Sequence, residues 1–189
     1  NMPSIMPDDL EKIAVGLLMG AGVSEDEAKV VSRLSIAANL AGHDSHGIIQ
    51  IPSYIDRVNR GHIVPGAEYE VVKDTPTTTV VDGHWGFGYV VTERLMKQTI
   101  EKAKSQNIAA ATVYRQSHIG RLAAYPLIAA QAGMIGMITA DSGRSSKAVV
   151  PFGGREKRLG TNPISIAMPS NLEGPFFLDM ATSAVAAGK

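Results

Sequence analysis

The 189-residue chain has no cysteine. That absence excludes disulfides, thiolate catalysis and the cysteine-based zinc and iron-sulfur sites, and it is compatible with a reducing compartment. An excess of charge is missing as well. Lys plus Arg and Asp plus Glu stand at 18 each, so no broad field points to nucleic acid or to an anionic membrane. No apolar run approaches the roughly 20 residues that a membrane helix needs, and Asn1-Met2-Pro3 does not open a charged-then-apolar signal pattern. The expectation is a cytoplasmic protein with neither nucleic acid nor membrane as partner, whose ligand must be read from local sites. Gly-x-Gly-x-x-Gly, a Walker loop and a Gly-x-Ser-x-Gly elbow are also lacking, which argues against a standard Rossmann site and against the usual esterase arrangement.

What is present divides into two grammars. Pro7-Asp8-Asp9 opens a helix with Leu10, Ile13, Leu17 and Leu18 at helical spacing, closed by Gly20 and Gly22. Ser24 stands three residues before Glu27, the spacing of a capping box, and Ala28, Val31, Leu34, Ile36 and Leu40 carry an apolar face to Gly42. A third helix is expected from Gly47 to about Arg60 with Ile48, Ile51, Ile55 and Val58 on one face, Pro52 being tolerable only in a first turn or at a kink. From Ile63 the chain changes to Val- and Thr-rich segments over 68–73 and 77–82, which read as a hairpin around Asp74-Thr75-Pro76. Helices over about 89–105 and 121–132 alternate with strands over 108–114 and 134–140, and further strands fit 164–168 and 175–178. The fold class is therefore α/β, a mixed α+β arrangement with N-terminal helices followed by an α/β region. A length of 189 residues suits one ordinary domain or two small ones.

Three of the five histidines fall in two short clusters. His43-Asp44-Ser45-His46-Gly47 packs imidazoles, a carboxylate and a hydroxyl between two helices. One reading is ordinary N-capping by Asp44 or Ser45. The other is acid/base chemistry, since an unperturbed imidazole titrates near about 6.5 and a helix N-terminus seats anions. A histidine at that end needs a nearby carboxylate such as Asp44, or a bound anion, to stay protonated. Ser45 is placed to orient the ring. Ser117-His118-Ile119-Gly120-Arg121 follows a predicted strand and precedes a predicted helix, where open α/β sheets place ligands. Its other reading is a turn in which Ser117 caps the following helix and Gly120 gives flexibility. Gly160-Thr161-Asn162-Pro163, preceded by Arg155, Lys157 and Arg158, reads as a solvated turn or as backbone open to a phosphate. Asp179-Met180-Ala181-Thr182-Ser183 reads as the cap of a last helix. His43, Asp44, His46 and His118 form no recognised metal spacing, so no metal is expected.

Taken together and in this order, Ala37 to Ile48 with its Asp44-Ser45-His46-Gly47, Ser117-His118-Ile119-Gly120-Arg121, Gly160-Thr161-Asn162-Pro163 and Asp179-Met180-Ala181-Thr182-Ser183 resemble segments of the malate/L-lactate dehydrogenase family of type 2. Asn39 to Gly47 with Ile51-Pro52-Ser53-Tyr54 is similar to its hydroxycarboxylate dehydrogenase B branch. The resemblance implies interconversion of a 2-hydroxy acid and a 2-oxo acid with NAD or NADP on a non-Rossmann fold, as a homodimer. It implies His46 as proton donor, Ser45 as its hydrogen-bonding partner, Thr161 and the position of Gln50 as substrate contacts, and His118 as a second acid/base or cofactor-site residue. Cofactor contacts fall by the same resemblance on His118, Ile119, Gly120, Arg121 and Leu122, on Ser142, and on Asp179, Met180 and Ala181.

By the same resemblance, residues 1–62 are the helical part of a catalytic and dimerisation domain, and 63–189 an α/β NAD(P)-binding region incomplete at its C-terminus. Many relatives carry Arg where this chain has Gln50, so a bidentate clamp on the substrate carboxylate is lost. Two other readings stay open: a metal-dependent hydrolase built on His43, Asp44, His46 and His118, and a non-catalytic α/β module.

Overall fold

The computed structural model describes residues 4–141 and 147–184. It contains two compact units, Asn1–Arg121 and Leu122–Lys189. The N-terminal helices thus share one unit with the first sheet, and the unit boundary lies after Arg121.

In the first unit, helix α1 (Pro7–Gly20) carries Pro7 in its first turn and Asp8 and Asp9 beside its positive end. Its buried positions are Ala14 and Leu18, whereas Ile13 and Leu17 are about half exposed. Helix α1 packs chiefly on helix α2 (Glu25–Leu40). The Ser24 hydroxyl accepts the Glu27 N–H at 3.4 Å, as the capping box requires. Glu27 departs from the pattern: its carboxylate is buried and accepts the backbone N–H of Gly66 at 2.8 Å, tying α2 to the loop ahead of the first sheet. Ala28, Val31, Leu34 and Ile36 are buried as the periodicity predicts, but Leu40 is exposed at the helix end.

The third helix is shorter than its apolar pattern. Two single 3-10 turns, Asp44–His46 and Ile48–Gln50, precede helix α3 (Ile51–Asn59). Pro52 explains the late start, because it lacks an N–H and fits only a first turn. Strands β1 (Glu70–Asp74) and β2 (Thr78–Asp82) form the predicted antiparallel hairpin. Strand β3 (Ala110–Tyr114) then pairs parallel with β2 after helix α4 (Gly88–Gln106) has crossed over. A parallel neighbour needs such a crossover. Leu18, Val31, Ile51, Tyr54, Ile63, Val81, Phe87 and Tyr89 are the largest side chains of this core.

The second unit is an antiparallel sheet, β4 (Gly136–Thr139), β5 (Ile164–Met168) and β6 (Phe176–Met180), with β5 central. The helix expected over 121–132 is split into a 3-10 turn at Leu122–Ala124 and helix α5 (Pro126–Gln131). Pro126 is the cause, since inside a continuous helix its ring would clash with the preceding turn and remove a hydrogen bond. Ser165 and Ala167 of β5 are fully buried on the face that meets α5. On the other face Met137, Phe176, Leu178 and Met180 stand about half exposed beside Ile164, Ile166 and Met168.

Candidate active site

Helix α2 delivers the chain into the first histidine cluster through Gly42, with His43 N–H bonded to the Ala38 carbonyl at 2.8 Å. The cluster is held by a residue to which the sequence reading gave no role. Asn39, on the last turn of α2, accepts the Ile48 N–H on Oδ1 at 2.8 Å and donates from Nδ2 to the Asp44 carboxylate at 2.5 Å. Gly47 is required here by close approach: a β-carbon at that position would lie 2.2 Å from Asn39 Oδ1. Gln50 donates its amide to the Ser45 carbonyl at 2.7 Å. Its side chain thus braces the loop that carries His46.

Asp44 and Ser45 do not cap a helix. Asp44 is spent on Asn39, and the Ser45 hydroxyl lies 3.0 Å from Nδ1 of His46. A serine in that position orients the imidazole. His43 points elsewhere, its Nδ1 being 3.1 Å from the Ala41 carbonyl.

The second cluster comes to meet the first. The rings of His46 and His118 are stacked with centroids 5.7 Å apart and planes inclined by 26°. His118 is seated on two buried tyrosines. Its Nδ1 is 2.7 Å from the Tyr54 hydroxyl of α3, which is 3.1 Å from the Tyr89 hydroxyl of α4. Burial lowers the His118 pKa to about 4, with smaller contributions from His46 and from the Arg57 guanidinium. His118 is therefore neutral at ordinary pH.

Ser117 is a cap, but of a different helix from the one expected: its hydroxyl accepts the N–H of Gly88, the first residue of α4, at 2.9 Å. Gly120 adopts a left-handed φ of 68°, and a β-carbon there would fall 2.3 Å from the Tyr89 ring. Rather than giving flexibility, it lets the chain pass tightly over Tyr89. Ile119 and Leu122 are buried, so their side chains serve the core.

In the second unit, Thr161 and Asn162 are tied to the end of β6, since Thr182 donates to both carbonyls, at 3.1 Å from its N–H to Thr161 and 2.9 Å from its hydroxyl to Asn162. Asp179 and Met180 belong to strand β6 rather than to a helix cap. Asp179 instead accepts the Ala123 N–H at 3.0 Å, fixing the 3-10 turn ahead of α5. Ala181 follows the strand. Ser142 lies outside the described residues, as does the start of the expected last helix at 185–189.

Among the described residues no group of three or more metal-ligating side chains is close enough to hold an ion. The hydrolase alternative needs His43, Asp44, His46 and His118 around one metal, whereas Asp44 accepts from Asn39 of α2 and His43 lies against the Ala41 carbonyl.

A pair of stacked imidazoles, one oriented by a serine and one seated on buried tyrosines, is an arrangement suited to giving and taking a proton. The chain belongs to the malate/L-lactate dehydrogenase family, whose sequence profile matches residues 5–189. It is 37% identical over 185 residues to L-sulfolactate dehydrogenase of Methanocaldococcus jannaschii, covering 98% of this chain and 53% of that protein. With hydroxycarboxylate dehydrogenase B of Escherichia coli O157:H7 it shares 42% identity over 168 residues, 89% of this chain and 46% of that one. Its fold superposes on malate dehydrogenase from Pyrococcus horikoshii OT3 with a TM-score of 0.93 at 37% identity, over 98% of this chain and 52% of that one. The chain spans about half the length of these relatives.

Proposed function

We propose that the whole protein interconverts a 2-hydroxy acid and a 2-oxo acid with NAD or NADP, with His46 as the residue that gives and recovers the proton. The observation that carries this reading is the meeting of His46 and His118 at 5.7 Å, with Ser45 on Nδ1 of His46. The names of the relatives, which include sulfolactate and hydroxycarboxylate dehydrogenases, support the reaction class.

The chemistry assigns each residue a task. When bound, a nicotinamide cofactor would supply the hydride that the oxo carbon needs. His46, its Nδ1 occupied by Ser45, protonates the developing alkoxide from Nε2, and in the reverse direction it takes the hydroxyl proton. A neutral His118 places no second positive charge beside a protonated His46. In kind, the residues that the resemblance gives to the cofactor suit a dinucleotide: Arg121 brings a guanidinium for diphosphate, and the irregular backbone of residues 118–121 brings polar groups. Asp179 to Ala181 and Thr161 carry the resemblance's cofactor and substrate assignments in the second unit. Gln50 brings no charge and braces Ser45, so the substrate carboxylate is held by other groups than an arginine at this position. The protein is a cytoplasmic homodimer in this reading.

Incubating the whole protein with NADH or NADPH and a panel of pyruvate, oxaloacetate and aryl pyruvates tests the proposal. Loss of reduced-cofactor absorbance with at least one acid is the expected result, and no loss with any acid and either cofactor overturns it.

A further inference from the structure

The histidine pair rests on a connected set of buried hydroxyls that has no task in the reaction as written above. Tyr54 and Tyr89 are 2% and 1% exposed. Tyr54 is held edge-on by Phe87, at 6.5 Å and 88°, and by Tyr89, at 5.8 Å and 74°. Tyr89 in turn is boxed in by the close passage of Gly120. Neither ring has room to swing away, so the 2.7 Å contact between the Tyr54 hydroxyl and His118 Nδ1 is imposed by the core.

The direction of that hydrogen bond follows from acidity. A phenol, with a pKa near about 10, is a stronger acid than a neutral imidazole N–H, and an imidazole lone pair is a stronger base than a phenolic oxygen. The favourable arrangement puts the phenol proton between them, on the tyrosine oxygen and directed at the ring nitrogen. Tyr89, 3.1 Å from Tyr54, then donates to the Tyr54 oxygen. Its longer contact of 3.5 Å to the His46 carbonyl is at the limit for a hydrogen bond.

We propose that Tyr54 is a positioning residue that donates its hydroxyl proton to Nδ1 of His118 and thereby fixes His118 as the imidazole tautomer protonated on Nε2. Which nitrogen of a histidine carries the proton is set by the partner of the other one. With its only lone pair taken by Tyr54, His118 presents an N–H and no base. It can bind an oxygen of a substrate as a neutral donor, but it cannot take the substrate's proton, which leaves that transfer to His46. The burial that holds His118 uncharged acts in the same direction. This division of labour rests on the reading of the two histidines as the reacting pair, whereas the tautomer itself does not.

Long-range proton–nitrogen correlation spectra of protein labelled with nitrogen-15 in its imidazoles test the inference, with His118 assigned by the signals lost in His118→Gln. At neutral pH the expected pattern is a protonated Nε2 and an unprotonated, hydrogen-bonded Nδ1. In Tyr54→Phe the Nδ1 resonance should move toward that of a free acceptor and an Nδ1-protonated population should appear, while Tyr89→Phe keeps the original tautomer. A protonated Nδ1 in the unaltered protein overturns the proposal, and so does an Nδ1 resonance unmoved by Tyr54→Phe. The first criterion decides even where the Tyr54 variant does not fold. In turnover, Tyr54→Phe should lower kcat by about 10- to 100-fold with cofactor affinity unchanged. If the spectra agree and no 2-oxo acid is turned over, the functional reading fails and the positioning role stands. If turnover is found and the spectra disagree, the reverse holds.

Discussion

The side-chain oxygen of Asn39 occupies the place that a β-carbon on Gly47 would take, 2.2 Å from it. This interlock keeps the His46 loop against the end of α2, because the same oxygen holds the Ile48 N–H and the same amide holds Asp44. Gly47→Ala must expel Asn39 from both bonds. The expected cost is about 1–3 kcal/mol, read from urea unfolding, together with a loss of turnover. Combined with Asn39→Ala, the second substitution should cost clearly less than it does alone, since residues in contact are not additive. Strict additivity would show that the interlock does not exist in solution.

His46→Ala is expected to lower kcat by about 10²- to 10⁴-fold, the usual worth of a positioned acid or base, with cofactor affinity nearly intact. Steady-state kinetics beside direct cofactor titration checks this. A collapse of cofactor binding with normal residual turnover would remove His46 from the proton-donor role.

His118 makes folding stability depend on pH in a defined window. Its pKa is about 6.5 unfolded and about 4 folded, lowered by burial first and then by His46 and Arg57, while Tyr54 and Tyr89 face it without charge. Between these values the unfolded chain binds more protons than the folded one, so stability rises with pH. The contribution is favourable above about 6.5 and is lost progressively as pH falls toward 4, by up to about 3 kcal/mol. Urea midpoints measured from pH 7 to 4 should fall more steeply in the wild type than in His118→Gln. Parallel curves would refute the assignment.

Asp82, at the end of β2, acts in the same direction at lower pH. The Arg115 guanidinium that grips its carboxylate lowers its pKa to about 2, with help from the His84 backbone N–H. The stability it adds is present above the ordinary carboxylate range and is lost as pH falls through about 2. Arg115→Gln should therefore move acid unfolding to higher pH, as followed by far-ultraviolet circular dichroism.

Local grammar carried much of the fold. Ser24 and Glu27 announced the start of α2, the Thr- and Val-rich segments around Pro76 announced the hairpin, and residues 164–168 form the strand expected of them. Pro52 and Pro126 shortened two helices by a rule visible in the chain, where the apolar spacing around them suggested longer ones. The site was legible in its charged and titratable members only. Tyr54 and Tyr89 read as core aromatics on two helices, and nothing local says that one would reach His118, because that contact depends on how α3, α4 and the chain after β3 pack. Asp179 illustrates the converse: an aspartate placed like a helix cap is a strand residue that steadies a turn distant in sequence.

His46 and His118 stand far apart in the chain, and their rings meet only when α2, α3, α4 and the segment after β3 have all docked. The pair is consequently a built-in reporter of that assembly. Each imidazole shifts the other's resonances by its ring current, an effect that vanishes once the rings separate. A denaturant titration followed at these two histidines would register the cooperative melting of the first unit without any signal from the second, which contains no histidine.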